Sequence, residues 1–218
     1  MPIQRQSVDR SKFNRSAVLP YNLRLTDFEM AMQDVYDFFY DVNSYLLNNS
    51  LQRLDEMLRP ANLSGMLSDM IADALAKHSR TLTVNLYHNG HPDLVVRDRY
   101  PNNAVKAGEE GVEVKSTRKH GGAVDTHGAR NQTLATFVYS VDNDRSKAVL
   151  DREPLTFREV YIAAVTQSDF RSNPRGELGT RTATLDAAGI AKFRAAGLVY
   201  YDWPTQQPAR GSKGNWRS

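Results

Sequence analysis

Hydrophobic side chains recur at helical spacing in two stretches of the N-terminal third of the chain. Residues 26–29, Thr-Asp-Phe-Glu, have the form of a capping box, and an apolar stripe follows at steps of four and three residues: Phe28, Met32, Val35, Phe39, Val42 and Leu46. A similar stripe begins near Asn62 or Ser64. The pattern predicts two amphipathic helices, with a short helix between them that follows Ser50 and ends at Pro60.

Beyond these helices, the pattern changes to the short apolar runs that are typical of β-strands. Residues 81–87 alternate between polar and apolar side chains. Residues 92–96 and 111–119 contain short apolar runs bounded by Gly or Pro, and residues 133–141 and 158–166 are apolar on both faces. The first run therefore predicts a half-buried strand, the next two predict neighbouring strands of one hairpin-like unit, and the last two predict central strands of a sheet.

The C-terminal part of the chain predicts one more helix and one more strand. Thr184 is expected to cap a helix that reaches about Ala196, and residues 198–201 form the last strand. The order of elements predicts an α+β fold, in which N-terminal helices precede a mixed sheet of about five strands and a C-terminal helix covers one face. We interpret the 218 residues as a single domain. Its parts are an extended or mobile arm (1–20), a helical part (21–78), an α/β core (79–204) and a flexible basic tail (205–218).

Composition excludes several classes of protein. The chain has no cysteine, which excludes disulfides and cysteine-based zinc sites. No apolar run approaches the roughly 18 residues of a membrane span, and the first residues are polar rather than signal-like. We therefore expect a cytoplasmic protein with no membrane segment. The formal net charge is +3 and the isoelectric point is about 9.1, which suits a nucleic-acid partner only if the basic residues cluster on one face.

Two carboxylates interrupt apolar strand runs, at Asp93 and at Glu113. Because burying an isolated carboxylate costs several kcal/mol, two of them in buried positions require partners. A strand has a period of two residues, so Glu113 and Lys115 project from the same face. The pattern therefore indicates a shared pocket with an acid pair and an amine. The alternative is a surface hairpin that carries an ordinary Glu–Lys cross-strand pair.

These residues resemble a known family. Pro92-Asp93 followed by Glu113-Val114-Lys115 is similar to the motif of the PD-(D/E)XK nuclease superfamily, and the run Glu-Val-Lys-Ser-Thr with basic residues after it resembles type II restriction endonucleases. Nineteen residues lie between Asp93 and Glu113, a separation typical of such enzymes. The resemblance implies a mixed-sheet core of the restriction-endonuclease-like type and hydrolysis of phosphodiester bonds.

The resemblance also implies a role for each residue of the motif. Asp93, Glu113 and the backbone carbonyl of Val114 are expected to hold Mg²⁺, a hard cation that prefers oxygen ligands. Lys115 is expected to contact the scissile phosphate and to orient or deprotonate the attacking water. Many members carry a further acid on the helix before the sheet, and Asp69 lies 24 residues before Asp93, close to the separation seen in the family.

Other interpretations of these acids and of two histidines stay open. Asp69 and Asp73 are one helical turn apart, and both fit an ordinary solvated helix face. His88 and His91 are three residues apart at a predicted turn. They could indicate a zinc site or a histidine-based nuclease, but no further soft ligand recurs at a suitable spacing.

The segment after the second motif strand contains candidate DNA contacts. Residues 120–132 are rich in glycine and lack helix or strand periodicity, which predicts a loop beside the catalytic strand. Arg, Asn and Gln side chains match the hydrogen-bonding edges of guanine and adenine. The predicted contacts are Arg118, Lys119, Arg130, Asn131 and Gln132. Alternatively, Asn131 or Gln132 caps the next element, and a second basic loop with Arg171, Arg175 and Arg181 faces phosphate.

These observations predict a Mg²⁺-dependent type II restriction endonuclease that cuts specific sites in double-stranded DNA as a homodimer. A cognate DNA methyltransferase is then expected as an operon partner rather than as part of a stable complex. Two alternatives remain: a repair or recombination nuclease of the same superfamily, and a DNA-binding module that has lost activity. The chain has no Walker-type phosphate loop, so ATP-driven translocation is not expected.

Overall fold

The computed structural model describes residues 3–122, 124–126, 128–172 and 182–203. The helices are α1 (Leu25–Asn48), α2 (Leu54–Met57), α3 (Pro60–His78) and α4 (Ala187–Gly197). The strands are β1 (Leu82–Val84), β2 (Leu94–Val96), β3 (Gly111–Thr117), β4 (Asp125–Thr126), β5 (Gln132–Ser140), β6 (Thr156–Val165), β7 (Phe170–Ser172), β8 (Ala183–Leu185) and β9 (Leu198–Tyr201). Short 3₁₀ turns occupy Arg10–Lys12, Pro20–Asn22, Pro101–Asn103, Val149–Asp151 and Gln167–Asp169.

The strands form a six-stranded mixed sheet and a small three-stranded sheet. The large sheet has the order β1-β2-β3-β5-β6-β9, in which β3 and β5 run parallel and all other neighbours run antiparallel. The small sheet has the order β4-β8-β7. The predicted α+β class, with N-terminal helices, a mixed sheet and a C-terminal helix, is confirmed, and the large sheet has one strand more than expected.

The two faces of the large sheet bury two separate clusters of apolar side chains. Helices α1 and α3 cover one face, where Val112 and Val114 of β3 pack with Phe28 of α1 and Leu67 of α3. On the other face, α4 and β8 pack over β5 and β6. Because side chains alternate along a strand, Glu113 projects away from α1 and α3, into the second face. The alternation of β3 therefore sets the side on which its polar residues lie.

Helix boundaries differ from the expectation at two caps. Helix α1 begins at Leu25, and the capping box joins Arg24 and Asp27 rather than Thr26 and Glu29. Thr184 does not cap α4, because it lies within β8; Asp186 is the N-cap, and its side chain accepts a hydrogen bond from the N–H of Gly189. In both cases, a carboxylate close to the helix start satisfies the free N–H groups.

Two segments that were expected to be irregular take part in the packing. The arm that precedes α1 lies along the edge of β9: Phe13 is buried against Tyr200, and the N–H of Asn14 donates to the carbonyl of Val199. The segment 120–132 was expected to lack strand structure, but it contains β4. The predicted basic tail (205–218) and the residues Arg175 and Arg181 lie outside the described residues. No helix in the described part of the chain combines the length and the apolar content that a membrane span requires.

Candidate active site

The two motif strands are neighbours, as the sequence predicts, but they pair over a short length only. Leu94 of β2 lies opposite Val112 of β3, and the ladder ends there because β2 diverges from β3. The next free N–H on this edge of β3, that of Val114, donates to Oδ2 of Asp93 (2.8 Å). The carboxylate of Asp93 therefore replaces a strand partner and lies directly beside β3.

Helix α3 closes the rest of this edge. The N–H of Ser116 donates to Oγ of Ser68 (2.9 Å), and Oγ of Ser116 donates to the carbonyl of Ser64 (2.7 Å). Both contacts join β3 to α3 through hydroxyl groups, so the helix and the strand are fixed relative to each other. Asp69, next to Ser68 on α3, is thereby brought to the site. The sequence contained no signal for these serines, because Ser on a helix is usually only a solvated residue.

Three oxygen atoms converge on the ammonium group of Lys115. Its Nζ lies 2.5 Å from Oε1 of Glu113, 3.6 Å from Oδ2 of Asp93 and 3.3 Å from the carbonyl oxygen of Val114. These are the three groups that the resemblance assigns to a metal ion. In the structure, the positive charge at their centre is that of Lys115. The sequence-predicted residues Asp93, Glu113 and Val114 are thus brought together around the ammonium group of Lys115.

The carboxyl groups of the cluster have opposite pKa shifts. Burial, followed by the negative charge of Glu113, raises the pKa of Asp93 above its ordinary value. Burial also acts to raise the pKa of Glu113, but the hydrogen bond from His91 and the charge of Lys115 outweigh it and lower the pKa to about 2. Burial acts to lower the pKa of Lys115, but the charges of Glu113 and Asp93 raise it overall. The cluster therefore holds an ionised Glu113 next to an ammonium group at neutral pH.

The cluster lies in an open cleft of about 570 Å³. The cleft is lined by Asp69, Asn89, Gly90, His91, Asp93, Glu113, Lys115, Thr126, Gly128, Arg130 and Gln132. Asp69 is exposed on α3 and faces this cleft, whereas Asp73 lines a different groove together with Asp34 and Lys77. The two helical acids are therefore distinguished by position: only Asp69 lies where it could serve the cluster.

The donor set fits a hard divalent cation. Asp93, Glu113 and the carbonyl of Val114 supply only oxygen atoms, which Mg²⁺ prefers, and they already surround one cation. Within the described residues, no group of three or more His, Asp or Glu side chains is arranged to hold a metal by itself. The side chains alone therefore do not form such a group, and the carbonyl of Val114 is the third oxygen atom of the donor set. The ammonium group of Lys115 lies within 3.6 Å of all three oxygen atoms, so a metal ion would bind there only if that group moved aside.

His91 belongs to the cluster, although its place at a predicted turn did not single it out from other polar loop residues. Its Nδ1 lies 2.8 Å from Oε2 of Glu113 and its ring lines the cleft, whereas His88 is exposed on the turn. A histidine at a turn cannot be distinguished from a polar loop residue by spacing. Only the antiparallel path from β1 through β2 to β3 brings residue 91 across from residue 113.

The predicted DNA contacts divide into two groups. Arg118 and Lys119 lie at the far end of β3, outside the cleft, and the guanidinium group of Arg118 donates to the carbonyl of Val141 (3.1 Å). Arg130 and Gln132 line the cleft beside the acid cluster. They therefore lie closer to the proposed chemistry than Arg118 and Lys119 do.

The side chains of Asn131 and Gln132 are less free to contact DNA bases than the sequence predicts. Oδ1 of Asn131 accepts a hydrogen bond from the N–H of Gln167 (2.9 Å), a structural role of the kind that the sequence left open. Gln132 is 8% exposed at the start of β5, and its buried Nε2 has no hydrogen-bond partner within the described structure. Arg130 is thus half-buried at the wall of the cleft, whereas the side chain of Asn131 is exposed but is bonded to the main chain of Gln167.

Comparisons with protein-family models, with curated proteins and with solved structures found no match to this chain. The functional interpretation therefore depends on the geometry of the cleft and on the short motif that lines it.

Proposed function

We propose that this protein is a Mg²⁺-dependent endonuclease that hydrolyses phosphodiester bonds in double-stranded DNA, and that it acts as a type II restriction enzyme. The observation that supports the proposal is the convergence of Asp93, Glu113 and the Val114 carbonyl on one positive charge within 3.6 Å. An arrangement of oxygen ligands around a cation, with a lysine beside it, suits the handling of a phosphate group.

Each residue has a defined part in this proposal. Asp93, Glu113 and the carbonyl of Val114 hold the metal, which supplies Lewis acidity at a phosphoryl oxygen and favours ionisation of a bound water. Lys115, when its ammonium group leaves the carboxylates, is placed to bind an oxygen of the scissile phosphate. Asp69 adds a third carboxylate at the rim, and Arg130 adds a cation that can bind the DNA backbone.

Cleavage of both strands of a DNA duplex requires two copies of the cleft. Each chain presents one cleft of this kind in the part that the structure describes. A two-fold symmetric dimer places two such clefts on the two strands of a palindromic site, because the symmetry of the site mirrors that of the protein. We therefore propose a homodimer as the active form, with a methyltransferase of the same specificity encoded beside it.

The test is incubation of the purified chain with unmethylated phage DNA and Mg²⁺. Discrete bands that disappear with EDTA are the expected result. The matched control is Lys115→Met, which keeps a long side chain but removes the charge, and which should give no bands. A smear supports the repair or recombination alternative, because such nucleases recognise structure rather than sequence. DNA binding without any cleavage, over a range of divalent metals, supports the inactive module and contradicts the proposal.

A further inference from the structure

The position of the His91 ring is set by its main chain. The N–H of His91 donates to the carbonyl of Lys106 (3.1 Å), and its carbonyl accepts from the N–H of Gly108 (2.7 Å). These two bonds tie His91 to the connector between β2 and β3. Because the backbone is held on both sides, the ring is presented to Glu113 independently of the contact that it makes there.

The two oxygens of Glu113 have different partners. Oε1 is paired with the ammonium group of Lys115 (2.5 Å), and Oε2 with Nδ1 of His91 (2.8 Å). An ionised carboxylate can only accept hydrogen bonds, so Nδ1 of His91 carries the hydrogen and donates it. The His91 ring is only 16% exposed, and the lysine is on a flexible chain of four methylene groups. One partner of Glu113 is therefore fixed and the other can leave.

We propose that His91 is a positioning residue for the metal site: its Nδ1–H fixes Oε2 of Glu113, so that Oε1 stays directed at Asp93 and the Val114 carbonyl when Lys115 moves away. The inference rests on the proposed function, since it assigns His91 to that same site. Ligating carboxylates are commonly held by hydrogen bonds of this kind, and losing one costs about 10–100-fold in metal affinity or activity.

The test is the affinity of the full chain for Mn²⁺ without DNA, measured by calorimetry or electron paramagnetic resonance. Mn²⁺ accepts the same oxygen ligands as Mg²⁺ and is directly observable. His91→Leu removes the donor, and we expect at least about a tenfold weaker affinity. His91→Asn places an amide N–H near the position of Nδ1, so its affinity should return to within a few-fold of the parent. His88→Leu, on the exposed turn, is the matched control and should leave the affinity unchanged.

The outcomes separate this inference from the proposed function. A parent chain that binds no Mn²⁺ overturns both. A parent that binds Mn²⁺, with a His91→Leu variant of the same affinity, overturns the positioning role alone. Equal losses in the Leu and Asn variants also overturn it, because ring packing would then be responsible rather than the hydrogen bond.

A measurement on the parent chain keeps the test independent of whether the variants fold. The ¹⁵N chemical shifts of the His91 ring distinguish a hydrogen on Nδ1 from one on Nε2. We expect a hydrogen on Nδ1 at neutral pH. A ring with its only hydrogen on Nε2 cannot donate to Glu113 and overturns the inference.

Discussion

Two buried glutamates of the large sheet have opposite surroundings. Glu113 on β3 is 6% exposed and borders the open cleft, whereas Glu159 on β6 is completely buried. Glu159 accepts hydrogen bonds from the N–H of Gly121 (2.9 Å), the hydroxyl of Tyr161 (2.8 Å) and the indole N–H of Trp203 (2.5 Å). Each glutamate also contacts a histidine, which is His91 for Glu113 and His120 for Glu159 (3.0 Å).

The difference lies in how replaceable the partners are. Around Glu159, a backbone amide and two large aromatic side chains donate from fixed positions, so this carboxylate holds the turn after β3 to the segment that follows β9. Around Glu113, one partner is a lysine ammonium that can be exchanged for another cation. A buried carboxylate held mainly by a backbone amide and large aromatic side chains acts as a structural anchor, and one paired with a lysine beside a cleft is suited to binding.

The strongest test of this comparison is to remove the carboxylates of the open cluster. Asp93→Ala and Glu113→Ala should each lower cleavage by at least about 10³-fold, the rate loss that several kcal/mol of transition-state stabilisation represents. DNA binding should stay near the parental level or become tighter, because a negative charge near a polyanion is removed. Single-turnover cleavage and a binding titration measure the two effects. A near-parental cutting rate in either variant would contradict the metal assignment.

Removal of the enclosed carboxylate should instead affect stability. Glu159→Ala leaves several buried donors without an acceptor, and each such loss costs about 1–3 kcal/mol, so we expect the free energy of unfolding to fall by about 3 kcal/mol or more. Urea denaturation measures this loss. Glu153→Ala is the control, because Glu153 is 67% exposed in its ion pair with Arg158 and such surface pairs contribute about 0–1 kcal/mol. Similar urea midpoints for Glu159→Ala and Glu153→Ala would contradict the proposal that Glu159 is a structural anchor.

The loop beside the open cluster gives a smaller effect, on specificity. If Arg130, Asn131 or Gln132 reads a base, its replacement by alanine should cost about 1–3 kcal/mol of discrimination at particular positions of the site. Arg130 is the best candidate, since it lines the cleft and its paired donors match the edge of guanine. Titrations of cognate and single-mismatch duplexes measure the discrimination. If all three variants keep the parental ratio of affinities for cognate and single-mismatch duplexes, this loop does not read bases and has only a structural role.

The helical acids test how far the open cluster extends. Asp69→Asn should reduce cleavage by about tenfold, because Asp69 faces the cleft and losses of groups that support metal ligands begin at this size. Asp73→Asn is the matched control one helical turn away and should cut at the parental rate. Equal rates for the two variants would mean that Asp69 has no role in cleavage and that this face of α3 is only a solvent-exposed surface.

The smallest effect is expected at the far end of β3. Lys119 is exposed and outside the cleft, so a contact with phosphate is the only role in DNA binding that its position favours. Lys119→Ala should reduce the slope of log affinity against log salt by about 0.9, the value for one released counterion. The loss should be equal for cognate and non-cognate duplexes. A loss confined to the cognate duplex would instead indicate base reading.

Much of the fold follows from hydrophobic periodicity. The stripe that begins at Phe28, the paired runs of β2 and β3 and the continuous apolar runs of β5 and β6 each bury the side that their spacing predicts. The small sheet was missed because β4, β7 and β8 have only two or three residues each, too few to show alternation. Thr184 was assigned to a cap for the same reason, since a three-residue strand just before a helix resembles a capping segment.

The proximity of Glu113 to Lys115 was predictable from local spacing, and that of Asp93 from the resemblance of the motif. Glu113 and Lys115 share a face through the period of one strand, so their proximity is a local property. The contacts of His91 with Glu113 and of Ser68 with Ser116 join residues that are 22 and 48 positions apart. These contacts depend on where β2 diverges from β3 and on how α3 packs, which single-residue patterns do not encode.

The divergence of β2 from β3 also bears on self-association. An unpaired strand edge offers free N–H groups to a strand of another molecule, which is a common route to aggregation. Here the carboxylate of Asp93 and the hydroxyl of Ser68 occupy the N–H groups of Val114 and Ser116, and α3 covers the strand. This edge of β3, next to the cleft, therefore offers neither of these two N–H groups to a strand of a second chain.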